Sequence, residues 1–294
     1  FSVYGMNLVI MLINFSLALG LIAFYDQQQR TSNPVSGSLA RNWLIASGVI
    51  LVGWVATSLV ILNSAPVDPT SVRVAALRSG FPLPAHIDDE NNSQVRFDKF
   101  EQQAREAASQ GAEVLFTSEM MFNFDPQVEY TEGFRSIAKE TDTYIFIAYS
   151  VLGENADIRR NQTVLLSPDG TFSETYNKTR IPPGESYDVP GGTYPVFDTE
   201  YGQMAALICA DGNYTDVSRN LTQNGAQIIS AGYREFPGFG EQLWQNITFR
   251  AVENRIPMVV TGAASVASII DPLGRQIALD VNIDGSDAIL VSDV

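Results

Sequence analysis

The chain has 294 residues, of which 45% are hydrophobic, and its 33 acidic and 18 basic residues give a formal net charge of −15. This length accommodates one large domain and one small one, and the negative charge disfavours binding to nucleic-acid phosphates. A single cysteine excludes an intrachain disulfide, so a packed core must hold the fold together.

Two apolar segments open the chain. Residues 5–25 and 43–62 contain no charged side chain, and a run of about 20 apolar residues crosses a hydrocarbon core of about 30 Å. We therefore predict a transmembrane helical hairpin over residues 1–62, with a pair of buried core helices as the alternative. Arg30 and Arg41 favour the cytoplasmic side for the connecting loop, which puts everything after Leu62 on the extracytoplasmic (periplasmic or outer) face.

Three further expectations concern the borders of this hairpin. The first apolar segment has neither a basic region before it nor a small-residue cleavage site, so it does not resemble a signal peptide. Because the chain begins at Phe1 and not at methionine, we expect it to be a fragment of a larger membrane bundle. Residues 63–70 contain two prolines and are predicted to link the hairpin to a domain over residues 71–294.

Strand and helix patterns alternate through this second domain. Predicted helices with an apolar face cover residues 93–109, 134–140, 215–224 and 241–253. Predicted strands cover residues 72–77, 114–117, 144–151, 163–167, 171–176, 194–197, 203–209, 226–230, 257–261, 266–270 and 288–291. Because some neighbouring strands are joined by hairpin turns and others by helices, the pattern predicts α/β layers with mixed sheets.

The only cysteine, Cys209, ends one predicted strand and is followed by a turn. A thiol attacks a carbonyl as the thiolate, so a catalytic cysteine needs a base or a positive neighbour. The only histidine, His86, lies in a polar segment that we predict to be a solvated loop. A carboxylate is therefore the expected base.

Glu119 and Lys178 precede Cys209 in the chain, and each follows a predicted strand. Partial desolvation raises the pKa of a carboxyl group such as Glu119 towards the range of a general base. Lys178 would stabilise an oxyanion, together with a backbone N–H after the nucleophile. Taken alone, Cys209 is explained as a small core residue, Glu119 as a strand-end acid and Lys178 as a solvated lysine. Their order and local context together favour thioester chemistry.

The surroundings of these residues resemble the nitrilase (carbon-nitrogen hydrolase) superfamily. Residues 161–170, 201–209 and 249–254 are similar to its strand pair before the lysine, its strand into the nucleophile and its late helix. The resemblance covers roughly residues 72–291. It implies a four-layer α-β-β-α sandwich and a catalytic triad of Glu119, Lys178 and Cys209. We expect neither a metal site nor a cofactor.

Within that superfamily, residues 176–185 are most similar to the apolipoprotein N-acyltransferase branch, in which the lysine leads to a Pro-x-Gly-Glu loop. Apolar helices before the catalytic domain also fit this branch. The resemblance implies that Glu185 helps to place Lys178 and that Asp211 is the second acid after the nucleophile. A loop acid for Glu185 and a turn-forming residue for Asp211 are the alternatives.

The predicted function is a membrane-anchored acyltransferase that moves a fatty acyl chain from a phospholipid of the bilayer to the N-terminal amine of a lipoprotein. The alternative is an extracytoplasmic amidase or nitrilase acting on a small amide or nitrile. A third interpretation, a degenerate binding domain, is disfavoured by the complete triad. Phe122, Phe124 and Phe236 lie in aromatic segments and are candidate acyl-binding residues, unless these segments only cover the core.

Overall fold

A computed structural model describes residues 3–64, 71–78, 80, 90–152, 159–185, 192–281 and 286–294. Contacts divide the chain into two compact units, Phe1–Pro69 and Thr70–Val294. His86 and most of the predicted linker lie outside the described residues, so the predictions for them stay untested.

The first unit is a helical hairpin of α1 (Val3–Gln29) and α2 (Gly37–Ser64). Both helices are long and apolar enough to cross a membrane, with a mean hydropathy of 2.3 in each. Phe15 packs edge-on against Trp43, with ring centroids 5.4 Å apart. Large apolar side chains such as Leu21 remain exposed on the hairpin, as is typical of a surface that faces lipid instead of water.

The second unit alternates strands and helices. Its strands are β1 (Arg73–Arg78), β2 (Val114–Thr117), β3 (Tyr144–Leu152), β4 (Arg159–Leu166), β5 (Phe172–Asn177), β6 (Phe197–Thr199), β7 (Gly202–Ile208), β8 (Ile228–Arg234), β9 (Met258–Ala263), β10 (Val266–Ile270), β11 (Gln276–Val281) and β12 (Ala288–Asp293). Its helices are α3 (Glu90–Ser109), α4 (Thr131–Thr141), α5 (Thr215–Gln223) and α6 (Pro237–Asn254). A 3-10 turn, Cys209–Asn213, follows β7.

The strands form two six-stranded sheets, in the orders β12-β1-β2-β3-β4-β5 and β6-β7-β8-β9-β10-β11. In each sheet three adjacent strands are parallel to one another. One further strand adjoins them on one side and two adjoin them on the other, and each of these is antiparallel to its inner neighbour. The two sheets therefore have the same pattern of directions, although the sequence shows no internal repeat. β2 and β8 are the middle parallel strands of their sheets.

Alternation along the strands separates the apolar side chains into two layers. In β2, Phe116 belongs to the core between the two sheets, whereas Leu115 belongs to the core beneath α3 and α4. In β3, Phe146 and Ile147 divide in the same way. Because successive strand side chains point to opposite faces, these strands are covered on both sides. The result is the four-layer α-β-β-α sandwich that the family resemblance implies.

Besides shifts of a few residues at the ends of elements, the structure differs from the predicted elements in three places. β11 was not predicted; it is an edge strand whose apolar side chains Ile277, Leu279 and Val281 are exposed. The predicted strand over residues 194–197 retains only Phe197, since β6 begins there. Cys209 begins the 3-10 turn and does not end β7.

The two sheets approach each other closely where β2 ends. Thr261 Oγ1 in β9 donates a hydrogen bond to the carbonyl oxygen of Thr117 at 2.9 Å. A Cβ atom built on Gly232 in β8 would lie 3.1 Å from the backbone nitrogen of Glu119 and 3.2 Å from the carbonyl oxygen of Thr117. Gly232 therefore lets the backbones of the two sheets approach at this point.

The first prediction follows from this approach. Gly232→Ala should lower the free energy of unfolding by about 1–3 kcal/mol, because the added methyl group meets backbone atoms that cannot rotate away. Gly238→Ala is the matched control, since a Cβ atom at Gly238 meets nothing within 4 Å. The free energy of unfolding of both variants is measured by thermal unfolding of the detergent-solubilised full chain. Equal stability of Gly232→Ala and the control would contradict the prediction.

Candidate active site

Glu119 and Lys178 form an ion pair in the interior of the second unit. Glu119 follows β2 and Lys178 follows β5, and their side chains are only 3% and 2% exposed. Lys178 Nζ lies 3.2 Å from Glu119 Oε1. Asn161 in β4 donates a hydrogen bond from Nδ2 to the same oxygen at 2.7 Å. Glu119 is thus held by a cation and by an amide, which satisfies a carboxylate that is buried.

Glu185 completes the surroundings of the lysine. Lys178 Nζ donates a hydrogen bond to Glu185 Oε2 at 2.8 Å. Burial alone would lower the pKa of Lys178, but the negative charges of Glu119 and Glu185 raise it above its ordinary value. Lys178 therefore stays protonated at neutral pH and provides a fixed positive charge at the site.

Cys209 is buried, and its backbone adopts a left-handed conformation with φ of 48°. Such a conformation costs a non-glycine residue about 1–3 kcal/mol, so the surrounding structure must enforce it. Burial raises the pKa of the Cys209 thiol well above its ordinary value, and the charge of Glu119 raises it further, whereas the charge of Lys178 lowers it. The thiol is therefore protonated at neutral pH and needs a base to become a nucleophile.

Asp211 connects the turn of Cys209 to the segment after Lys178. Its buried carboxylate accepts hydrogen bonds from the backbone N–H groups of Ile208 at 3.0 Å, Thr179 at 3.2 Å and Arg180 at 2.7 Å, and from Tyr176 OH at 2.7 Å. Burial raises the pKa of Asp211 to about 6. Through these hydrogen bonds Asp211 fixes the position of Cys209 relative to the end of β5.

The structure also brings to the site a residue that was not predicted from the sequence, Glu235. The Cys209 thiol donates a hydrogen bond to Glu235 Oε1 at 3.2 Å. Glu235 directly follows β8, and an acid after a predicted strand was the signal that singled out Glu119. That signal was overlooked because residues 233–239 were interpreted as an aromatic loop, whereas β8 ends at Arg234 and α6 begins at Pro237.

Asn161 is the second residue that the sequence analysis did not single out. Asn161 is buried and touches both members of the ion pair. Its side chain donates a hydrogen bond to Glu119, and its backbone oxygen accepts one from the N–H of Lys178 at 2.9 Å. It lies in the segment that carries the family resemblance, which is the signal that would have identified it.

The aromatic candidates separate into two groups. Phe122 and Phe124 were expected to bind an acyl chain, but the structure places them in the core beneath α3 and α4, on the other side of the first sheet from the core that contains Cys209. The ring of Phe122 packs against that of Phe134 at 5.0 Å. These two side chains therefore stabilise the fold. Phe236 precedes α6, follows Glu235 and is 62% exposed.

Comparison with known proteins agrees with this arrangement. The carbon-nitrogen hydrolase family profile matches residues 89–280, so the chain belongs to that family. Omega-amidase NIT2 of Homo sapiens is 26% identical in an alignment of 227 residues that covers 65% of this chain and 79% of that protein. Apolipoprotein N-acyltransferase of Geobacter metallireducens is 25% identical in an alignment of 204 residues that covers 60% of this chain but only 39% of that protein.

Solved structures show the same fold. An amidase from Nesterenkonia sp. superposes with a TM-score of 0.64 at 20% identity, covering 79% of this chain and 93% of the amidase. A mutant of that amidase carries the acetamide moiety of fluoroacetamide on its active-site cysteine. At this identity the similarity establishes the nitrilase-like sandwich, and the chemistry of the present chain must be argued from its own residues.

The second prediction concerns the thiol. Glu119→Gln should lower the pKa of Cys209 by about 1–3 units, because it removes a negative charge that disfavours the thiolate. Lys178→Met should shift this pKa in the opposite direction. The pH dependence of iodoacetamide alkylation, followed by intact mass, reports this pKa without background because the chain has only one cysteine.

The matched control is Glu174→Gln, which removes an exposed acid of β5. Its alkylation profile should follow that of the unmodified protein. If the midpoint of Glu119→Gln also stays unchanged, the charge of Glu119 does not act on the thiol.

Proposed function

We propose that this member of the carbon-nitrogen hydrolase family is a membrane-anchored acyltransferase. It moves a fatty acyl chain from a phospholipid to the N-terminal amine of a lipoprotein through a thioester on Cys209. The observation that carries the proposal is the presence, in one chain, of the buried Glu119–Lys178 pair near a cysteine and of two apolar helices long enough to span a bilayer. Similarity to apolipoprotein N-acyltransferase supports the same reaction.

The first half-reaction follows from the charges around the thiol. Glu119 takes the proton of the Cys209 thiol, and the sulfur attacks the carbonyl carbon of the phospholipid ester. Lys178 stabilises the negative charge that develops on the carbonyl oxygen. The carbon–oxygen bond then breaks, the proton passes from Glu119 to the departing lysophospholipid hydroxyl, and the acyl chain remains on Cys209.

The second half-reaction releases the acyl chain. The neutral N-terminal amine of the acceptor attacks the thioester carbonyl, the carbon–sulfur bond breaks, and the Cys209 thiol forms again. The acceptor becomes an amide. Arg30 and Arg41 in the hairpin loop favour the cytoplasmic side, so we place the catalytic domain on the extracytoplasmic face, where an exported lipoprotein would meet it.

A second candidate function is hydrolysis of a small amide or nitrile. It is favoured by the fold, because the match covers 93% of the amidase structure. The same first half-reaction would release ammonia from an amide, and water would then resolve the thioester. This candidate gives no role to the two apolar helices, which is why we rank it second.

The third prediction separates these two functions. Full-length protein incubated with a phospholipid and a diacylated lipopeptide should transfer one acyl chain to the lipopeptide amine, detected by mass spectrometry. Before the acceptor is added, intact mass should show an acyl adduct that Cys209→Ala lacks. A parallel incubation with small amides and nitriles should release no ammonia. Cys209-dependent ammonia release without lipopeptide acylation would favour the amidase.

The fourth prediction concerns the exposed aromatic side chains beside Glu235. Phe236 and Phe239 are 62% and 66% exposed and stand three positions apart at the start of α6, so both can contact an apolar ligand. We expect the double variant Phe236→Ser and Phe239→Ser to slow Cys209 acylation by a long-chain donor about tenfold, as expected when one or two apolar contacts are lost. A butyryl donor should be unaffected. Val128→Ser, another exposed apolar position, is the control. Equal effects on both donors would contradict an acyl-binding role.

A further inference from the structure

The position of Glu235 is not explained by the first half-reaction. That step needs one base, and Glu119 supplies it with the support of Lys178 and Asn161. Glu235 nevertheless contacts the reacting atom itself, because its Oε1 lies 3.2 Å from Cys209 Sγ. A carboxylate at this distance from the thiol disfavours the thiolate, since its charge raises the pKa of Cys209. Glu119 raises this pKa as well, so what sets Glu235 apart is its direct contact with the sulfur.

The two sheets present Glu119 and Glu235 in corresponding places. Glu119 lies two residues after β2, and Glu235 lies one residue after β8. β2 and β8 are the middle parallel strands of the two sheets, and Gly232 in β8 packs against the backbone of Glu119. Both acids therefore stand at the carboxyl ends of equivalent strands, at the place where the sheets meet beside Cys209.

Their surroundings differ in a way that matters for chemistry. Glu119 is 3% exposed, and its carboxylate is bound by an ammonium and an amide. Glu235 is half-buried and is followed by the exposed side chain of Phe236. A molecule arriving from solvent therefore reaches Glu235 more readily than Glu119. The site has an inner and an outer carboxylate.

We propose that Glu235 is a catalytic residue that binds the acceptor amine and takes its proton during attack on the Cys209 thioester. The proposal deepens the proposed function and rests on its thioester intermediate. The substrate class that it assigns to the outer part of the site is a primary amine, protonated in solution. A carboxylate is the natural partner of an ammonium group and also accepts the proton that the amine must lose.

Transfer of the acyl group from Cys209 to the amine needs no reactant besides the thioester, the amine and water. The ammonium form of the acceptor binds Glu235 and transfers one proton to bulk water, which leaves the neutral amine. The amine nitrogen bonds to the thioester carbon and becomes positively charged. Glu235 accepts a proton from that nitrogen. When the carbon–sulfur bond breaks, Glu235 delivers this proton to Cys209 Sγ, with which its oxygen is already in contact.

The charges of the site favour the same class of acceptor. Three carboxylates, those of Glu119, Glu185 and Glu235, act on the thiol or on one another, and Lys178 lies among them. Such an arrangement attracts a cation and repels a carboxylate-bearing acceptor. Water needs no such attraction, so the loss of Glu235 should slow aminolysis more than hydrolysis.

The fifth prediction tests this role with a donor that does not depend on phospholipid recognition. Full-length protein is loaded with p-nitrophenyl butyrate, and the acyl-Cys209 species is measured by intact mass. Glycine methyl ester is then added as the amine, and the amide and free acid products are quantified. The two proteins are compared at equal occupancy of acyl-Cys209, and the ratio of amide to acid should fall by about tenfold to 100-fold in Glu235→Gln.

Two further variants make the test specific. Glu235→Asp keeps a carboxylate at a greater distance, and its product ratio should lie between those of the other two proteins. Glu174→Gln removes an exposed acid of β5 and should leave loading and ratio unchanged.

The outcomes distinguish this inference from the function on which it rests. An unchanged ratio of amide to acid in Glu235→Gln overturns the role of Glu235, as does an unmodified protein that forms only acid from the loaded thioester. Failure of a phospholipid to load Cys209 overturns the proposed acyl donor instead. The soluble ester still decides the role of Glu235 in that case, because it loads the same sulfur.

Discussion

The buried ammonium of Lys178 is the constraint on which the arrangement of the site depends. A charge removed from water is tolerated only where opposite charges and hydrogen bonds replace its hydration. Glu119 and Glu185 provide this replacement from two other parts of the chain, at 3.2 and 2.8 Å. The end of β5 is therefore fixed against the end of β2. Asp211 extends the constraint, because its carboxylate joins the turn of Cys209 to the backbone after Lys178.

The correspondence between the two sheets explains how one thiol comes to lie near several carboxylates. Parallel strands end at the same edge of a sheet, and here the two equivalent edges are packed together. Residues after β2 and β8 therefore converge on the turn after β7. Burial then gives Glu119 and Glu235 different properties, since the inner one is enclosed by protein donors and the outer one remains within reach of solvent. A site with two such acids suits a reaction that moves protons in two separate steps.

Much of the fold and part of the site could be predicted from the sequence. The hairpin of α1 and α2 follows from uninterrupted apolar runs, and most strands follow from short apolar segments between turn residues. Glu119, Lys178 and Cys209 were identifiable because each comes at the end of a predicted strand. Regular elements depend on near neighbours in the chain, so local patterns contain this information. β11 is an exception, because Ile277, Leu279 and Val281 alternate along it and it was still not predicted.

The sequence by itself thus determined which elements form and which residue types stand at their ends. Only the tertiary structure decided which of these ends meet. Asn161 and Glu119 are 42 positions apart, and Cys209 and Glu235 are 26 apart, yet both pairs are in contact. It also decided that Phe122 packs in the core, because this residue lies outside the named strands and only its contacts with distant segments show what covers it. Contacts between distant segments depend on how the sheets pack, and local sequence patterns do not encode that packing.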